Sequence, residues 1–183
     1  KEMLITDYLF ENVKPIWDAY LEHDFIMDMG NGNLCKDKFK DYLIQDYLYL
    51  KEYAKVYAMA LVKCENIEQM KFCQNSINGI LEDESATHIW YLKNFGEKIE
   101  ELEDYKIKEA NENYTSYMKS IALTGDLLDT MVSVLPCAWS YYYIGKKLKE
   151  TYKENLEDNF YKSWIESYSC EGYEQVARTS IEF

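Results

Sequence analysis

Arginine occurs once in this chain, at Arg178, proline twice, at Pro15 and Pro136, and histidine twice, at His23 and His88. One guanidinium cannot make the bidentate clamps that hold phosphates. Two prolines and seven glycines leave few places where a helix must stop. No apolar run approaches the ~20 residues that a membrane-spanning helix needs. Five cysteines (Cys35, Cys64, Cys73, Cys137 and Cys170) are odd in number and show no CxxC spacing. That pattern fits reduced thiols in a cytoplasmic protein rather than a disulfide framework. The Gly-x-Gly at 30–32 lacks the strand–helix context of a phosphate loop.

Acid and tyrosine are what the chain has in quantity. Asp and Glu number 33 against 20 Lys and Arg, a formal net charge of −13. So negative a surface repels phosphate backbones and anionic lipid, which argues against nucleic acid and membrane as partners. Eighteen tyrosines offer apolar bodies with hydrogen-bonding tips, suited to a pocket for a planar polar ligand. Apolar residues recur at helical spacing almost throughout, which predicts a single all-α domain, a helical bundle with a sizeable core. We expect a helix or broken pair over 6–28, with Thr6 as cap and Pro15 as break, then a turn at 29–33. Long helices follow over 36–63 and 66–94, the second bent near Gly79 and ended by Gly96. Residues 97–104 read as a solvated connection or short helix, and further helices cover 109–122, 126–150 (kinked at Pro136) and 156–177.

Two of these helices carry a carboxylate on the wrong face. Over 36–63 the apolar stripe runs Phe39, Tyr42, Leu43, Leu50, Tyr53, Tyr57 and Leu61, and Asp46 falls in its middle, with Tyr49 one turn away. Lys51, Lys55, Asp41 and Glu52 lie opposite, as a solvated face. A carboxylate aimed at a core is paired, hydrogen-bonded or functional, because burying it alone is costly. The structural alternative is an aspartate satisfied by a tyrosine hydroxyl or a helix N-terminus. Over 66–94 the stripe is Ile77, Ile80, Leu81, His88, Tyr91, Leu92 and Phe95, with Glu84 at its centre. Glu84 and His88, one turn apart, read as two metal ligands or as a polar pair bonded to each other. A helical di-metal site calls for four carboxylates and two Glu-x-x-His pairs, and of the two histidines here neither has that spacing.

The segment LPCAWSYYYIG (135–145) sets Cys137 directly after Pro136 and one turn before Tyr141. Pro136 either starts a helix or kinks one. If it starts one, Cys137 lies in the first turn, where free N–H groups stabilise a thiolate. The bland alternative is a core cysteine at a kink. Trp164 and Tyr168 form another aromatic pair one turn apart, and Trp164 reads as ordinary core.

The segments YLIQDYLYLKEYAKVYA (42–58), ILEDESATHIWYLKNFG (80–96), YTSYM (114–118), LPCAWSYYYIG and YKSWIESY (161–168) follow one another in order. Together they resemble the TenA, or thiaminase II, family, whose fold is the all-α haem-oxygenase-like helical bundle. The resemblance implies an aminopyrimidine aminohydrolase acting on 4-amino-5-aminomethyl-2-methylpyrimidine, and in many members on thiamin, as a homotetramer with no metal or organic cofactor. By position Cys137 matches the family nucleophile, Asp46 the residue that binds the pyrimidine's amino edge, and Tyr49, Tyr114, Tyr141 and Tyr168 the tyrosines lining the site. The late catalytic glutamate falls on Glu182 in TSIEF, expected to be half-buried with a raised pKa. Relatives carry about a helix's worth of further chain between the segments matching EGYEQVA and RTSIEF, so 175–180 reads as a join with residues missing. The proline often found before the Y-T segment is replaced by NENYTSYM. Two rivals remain: a metal-dependent oxidase using Asp46, Glu84 and His88, and a non-catalytic pyrimidine-binding protein.

Overall fold

Some helix starts in this chain are held by short polar side chains. The computed structural model describes residues 3–183. Asn66 Oδ1 accepts from Gln69 N at 2.9 Å and opens helix α4 (Ile67–Asn78). Asp126 and Asp129 exchange bonds, Asp129 N donating to Asp126 Oδ1 at 2.9 Å and Asp126 N to Asp129 Oδ2 at 3.1 Å, where α7 (Leu127–Thr151) begins. Such reciprocal caps satisfy the N–H groups a first turn leaves over. The remaining α-helices are α1 (Ile5–Tyr20), α2 (Asp24–Asn31), α3 (Lys36–Leu61), α5 (Ser85–Asn94), α6 (Glu109–Thr124), α8 (Lys162–Ser169) and α9 (Glu171–Glu182). A π-helical stretch covers Gly79–Glu84 and a 3₁₀ turn Ile99–Asp104. Among the described residues every regular element is helical, as the periodicity predicts.

The chain divides into two compact units, Cys35–Val134 and the chain up to Leu34 together with Leu135–Phe183. In the first, α3 supplies the core: Phe39, Leu43, Val56 and Ala60 are fully buried, as are Leu92, Leu102 and Met118 from the elements around it. Burying each such side chain contributes roughly 1.5–3 kcal/mol. Phe39 meets Tyr91 edge to face at 5.2 Å. Glu52, expected in solvent, is instead 15 % exposed and bonds Lys119 at 2.8 Å and Lys55 at 2.9 Å, because α6 packs across that side of α3.

In the second unit the buried residues Trp17, Met29, Leu34, Leu148, Trp164, Ile165 and Ala177 make the core. Asn159 ties it together: its Nδ2 donates to Met29 O at 2.8 Å and Gly30 O at 3.0 Å, and its Oδ1 accepts from Tyr161 N at 2.8 Å. Tyr161 adds a hydroxyl donated to Leu34 O at 2.6 Å. Gly32, at φ 82°, closes α2 in the left-handed conformation that glycine adopts without strain.

Several boundaries differ from expectation. The break in 6–28 falls at residues 21–23, not at Pro15, which lies within α1; His23 Nδ1 accepts from Phe25 N at 3.2 Å and caps α2. The helix expected over 156–177 is two, parted where Cys170 takes an extended backbone (φ −72°, ψ 162°). The bend near Gly79 is the π stretch itself. Its extra residue turns the register, so Leu81 is exposed although the stripe included it.

Candidate active site

Asp46 lies on α3 with its side chain 10 % exposed, and His88 on α5 is wholly buried. His88 Nε2 is 2.6 Å from Asp46 Oδ2, and His88 Nδ1 is 2.7 Å from the backbone oxygen of Glu84. Spacing along one helix pointed to a Glu84–His88 side-chain pair; the partners are Glu84's carbonyl and, across helices, Asp46. A carbonyl oxygen only accepts, so Nδ1 carries a hydrogen. Burial works to lower the His88 pKa, but the hydrogen bond and charge of Asp46, with the Glu84 carbonyl, outweigh it and raise the value. His88 Nε2 faces the Asp46 carboxylate and Nδ1 the Glu84 carbonyl, so both ring nitrogens are engaged within the protein. His23 is engaged as a cap, and no group of three His, Cys, Asp or Glu among the described residues is arranged to hold an ion. The oxidase reading thus loses its ligand set.

One turn beyond Asp46, Tyr49 is buried between two near-parallel rings, Tyr53 with centroids 5.4 Å apart and Tyr114 at 5.9 Å. Tyr53 and Tyr114 also serve α7. The Tyr114 hydroxyl donates to Ser133 O and the Tyr53 hydroxyl to Val134 O, both at 3.3 Å. Both carbonyls lie in the turn of α7 just ahead of Pro136.

Pro136 therefore sits inside α7 and does not begin it. Nearly three turns of helix precede Cys137, so the N-terminal stabilisation of a thiolate does not apply. Cys137 is half-buried, and its carbonyl accepts from Ser140 Oγ at 3.2 Å. Trp139 packs away from any chemistry, stacked on Phe10 at 5.4 Å and edge-on to Trp17 at 5.7 Å. Tyr141 and Tyr168 meet with centroids 4.7 Å apart, and Tyr168 is held by Trp164 and Tyr173, each at 4.9 Å. Trp164 is 3 % exposed, the core residue expected. Glu182 ends α9 and is exposed, so the half-burial expected of it is not found: the last turn of this helix projects it outward.

The expected site residues divide between the two units. Asp46, Tyr49 and Tyr114 belong to the unit Cys35–Val134, and Cys137, Tyr141, Tyr168 and Glu182 to the other. Sequence reasoning missed the Asp46–His88 pairing; its one available signal was that both polar residues stand mid-stripe on neighbouring helices.

Comparison with known proteins agrees on the all-α fold. The TENA/THI-4/PQQC family model matches residues 10–183. An "Aminopyrimidine aminohydrolase" of Helicobacter pylori is 36 % identical over 179 residues, covering 98 % of this chain and 82 % of the relative. A protein of the same name from Halalkalibacterium halodurans is 38 % identical over 175 residues, 95 % of this chain and 77 % of the other. Among solved structures, one from Silicibacter sp. TM1040, described as a TenA family transcription regulator, superposes with a TM-score of 0.87 at 28 % identity, covering 97 % of this chain and 77 % of that one. A TenA homologue from P. horikoshii gives the same score at 25 % identity, covering 98 % and 84 %. The fold is the all-α haem-oxygenase-like one. The chain belongs to the TENA/THI-4/PQQC family.

Proposed function

We propose that this chain is a hydrolase, an aminopyrimidine aminohydrolase of the thiaminase II type, which converts 4-amino-5-aminomethyl-2-methylpyrimidine and water into the 5-hydroxymethyl pyrimidine and ammonia. The observation that carries the reading is Asp46, a largely buried acid held by His88 one turn from the stacked Tyr49. The relatives' names give that acid a ligand: an aminopyrimidine offers a flat ring for aromatics and an amino edge for a carboxylate.

The aminomethyl nitrogen leaves poorly by direct displacement. In the proposed route the Cys137 thiolate adds to ring carbon C6 while a proton reaches a ring nitrogen. The electrons of the dearomatised ring then expel the amine as ammonia, leaving an exocyclic methylene. Water adds to that methylene, and departure of the thiolate restores the ring. Cysteine suits both addition and departure. Asp46 accepts from the 4-amino group and fixes the ring, and Tyr49, Tyr114, Tyr141 and Tyr168 line the site. Glu182 is assigned the proton delivery, a step worth ~10²–10⁴-fold; this assignment rests on the sequence match, not on burial. The same proposal takes the protein as a cytoplasmic homotetramer working without cofactor, with thiamin as a second substrate.

The description of one structural neighbour as a transcription regulator meets a net charge of −13 and a single arginine, which oppose DNA. No helix among the described residues is long and apolar enough to cross a membrane. Incubating the purified protein with the aminomethylpyrimidine and measuring ammonia tests the proposal. Release of ammonia with the hydroxymethyl product supports it; tight binding without turnover favours the non-catalytic pyrimidine binder.

A further inference from the structure

His88 has no task in the route above, although it is wholly buried and touches Asp46 at 2.6 Å. Its position is fixed from the other side by the Glu84 carbonyl at 2.7 Å. That carbonyl ends the π stretch Gly79–Glu84, where Ser85 Oγ and Ser85 N both bond Ile80 O, five residues back, the Oγ at 2.9 Å. The irregular turn sets the phase of α5 and so aims the imidazole across to α3. Such π turns are frequent at functional sites.

We propose that His88 is a positioning residue that sets substrate choice: by donating to Asp46 Oδ2 it aims the Asp46 carboxylate at the ring's amino edge, so that the site takes 4-aminopyrimidines and rejects their 4-oxo counterparts. The inference rests on the reading that Asp46 receives the ring's amino edge. An amino group donates to a carboxylate. A 4-oxo group presents lone pairs to the lone pairs of Asp46 and is repelled. Without a donor at Nε2, Asp46 loses the bond that fixes the direction of its carboxylate. The amino ring then loses the aimed acceptor that favours it over the oxo ring.

Two amide substitutions separate positioning from structure. The amide of His88→Asn stands where Nδ1 does and can still serve the Glu84 carbonyl, but it falls short of Asp46. That of His88→Gln reaches the place of Nε2. Calorimetric titration with 4-amino-5-hydroxymethyl-2-methylpyrimidine and with its 4-oxo analogue reads the preference directly. Wild type is expected to favour the amino ring by about 100-fold or more, as sites built to pair a donor do. His88→Asn cuts that ratio at least ten-fold, and His88→Gln restores it to within about three-fold of wild type. A wild type that discriminates, beside a His88→Asn variant that discriminates equally, overturns this inference alone. Equal loss in both variants also overturns it, since a merely structural histidine would behave so. A wild type that binds neither ring, or both alike, overturns the function assigned to the site.

Discussion

A Cβ added to Gly145 would lie 3.0 Å from Tyr168 Cβ and 3.1 Å from the Tyr168 carbonyl carbon and oxygen. The absence of a side chain at Gly145 is therefore what lets α8 approach α7 closely enough for Tyr168 to meet Tyr141. Gly145→Ala gains about 1 kcal/mol of helix propensity and loses about 1–3 kcal/mol to overpacking against backbone that cannot rotate away. The expected net is a modest fall in Tm. If Tyr141 and Tyr168 line the site as proposed, turnover falls further than stability does. A variant with wild-type Tm and wild-type turnover would show that the close approach has no consequence.

The proposed nucleophile makes a sharper prediction. Cys137→Ser should lower ammonia release by ~10³-fold or more, as loss of an attacking thiol does, with the helical CD spectrum unchanged. Labelling with iodoacetamide gives a second reading. Cys73 is fully buried, and burial with the neighbouring Cys64 thiol pushes it up to about 12, so it should stay unlabelled in the native protein. Substrate should protect Cys137 while the exposed Cys35 and Cys170 label at their usual rate. Turnover near wild type in Cys137→Ser removes the thiol from the mechanism.

Asn159 is predicted to matter for the fold and not for the chemistry. Its amide bonds Met29 O, Gly30 O and Tyr161 N at once and is 8 % exposed. Asn159→Ala leaves two carbonyls and one N–H without that partner, a cost of roughly 2–4 kcal/mol. That corresponds to a fall in Tm of roughly 5–15 °C for a chain of this size. The residual folded enzyme should keep its Michaelis constant, which a thermal melt beside steady-state kinetics will check.

How much of this was legible in the sequence depended on whether an interaction ran along a helix or between helices. Periodicity recovered the long helices and exposed Asp46 as a polar residue in an apolar stripe, because both are statements about one helix at 3.6 residues per turn. The partner of Asp46 was not legible: spacing showed only that Glu84 and His88 share a face, while the bond that matters joins α5 to α3. Glu52 was misread for the same reason, since the covering helix α6 comes from a distant stretch of chain. Asn159 lay within a segment that looked helical, and its three partners include two carbonyls some 130 residues earlier in sequence. The π stretch left only Gly79 as a clue, which suggested a bend and not an added residue. The proposed roles of Tyr114 and Glu182 came only through the resemblance. The motif did not reveal that Trp139 in P-C-x-W packs on Phe10 and Trp17, or that Tyr114 props the backbone ahead of Pro136.

The Asp46–His88 pair should also be visible in stability against pH. Burial alone would depress the His88 pKa, but the Asp46 carboxylate and the Glu84 carbonyl raise it above its ordinary value. A group whose folded pKa is raised binds its proton more tightly when folded. Its contribution is therefore complete below the unfolded value of about 6.5 and disappears as pH rises through the folded value. His88→Gln keeps a donor to Asp46 but has no proton to release, so it lacks this dependence. Urea melts of wild type and His88→Gln across mildly acidic to alkaline pH should show the largest gap at and below about pH 6.5, closing at higher pH. A gap that is flat, or that widens as pH rises, would mean that His88 is not held as an imidazolium by Asp46.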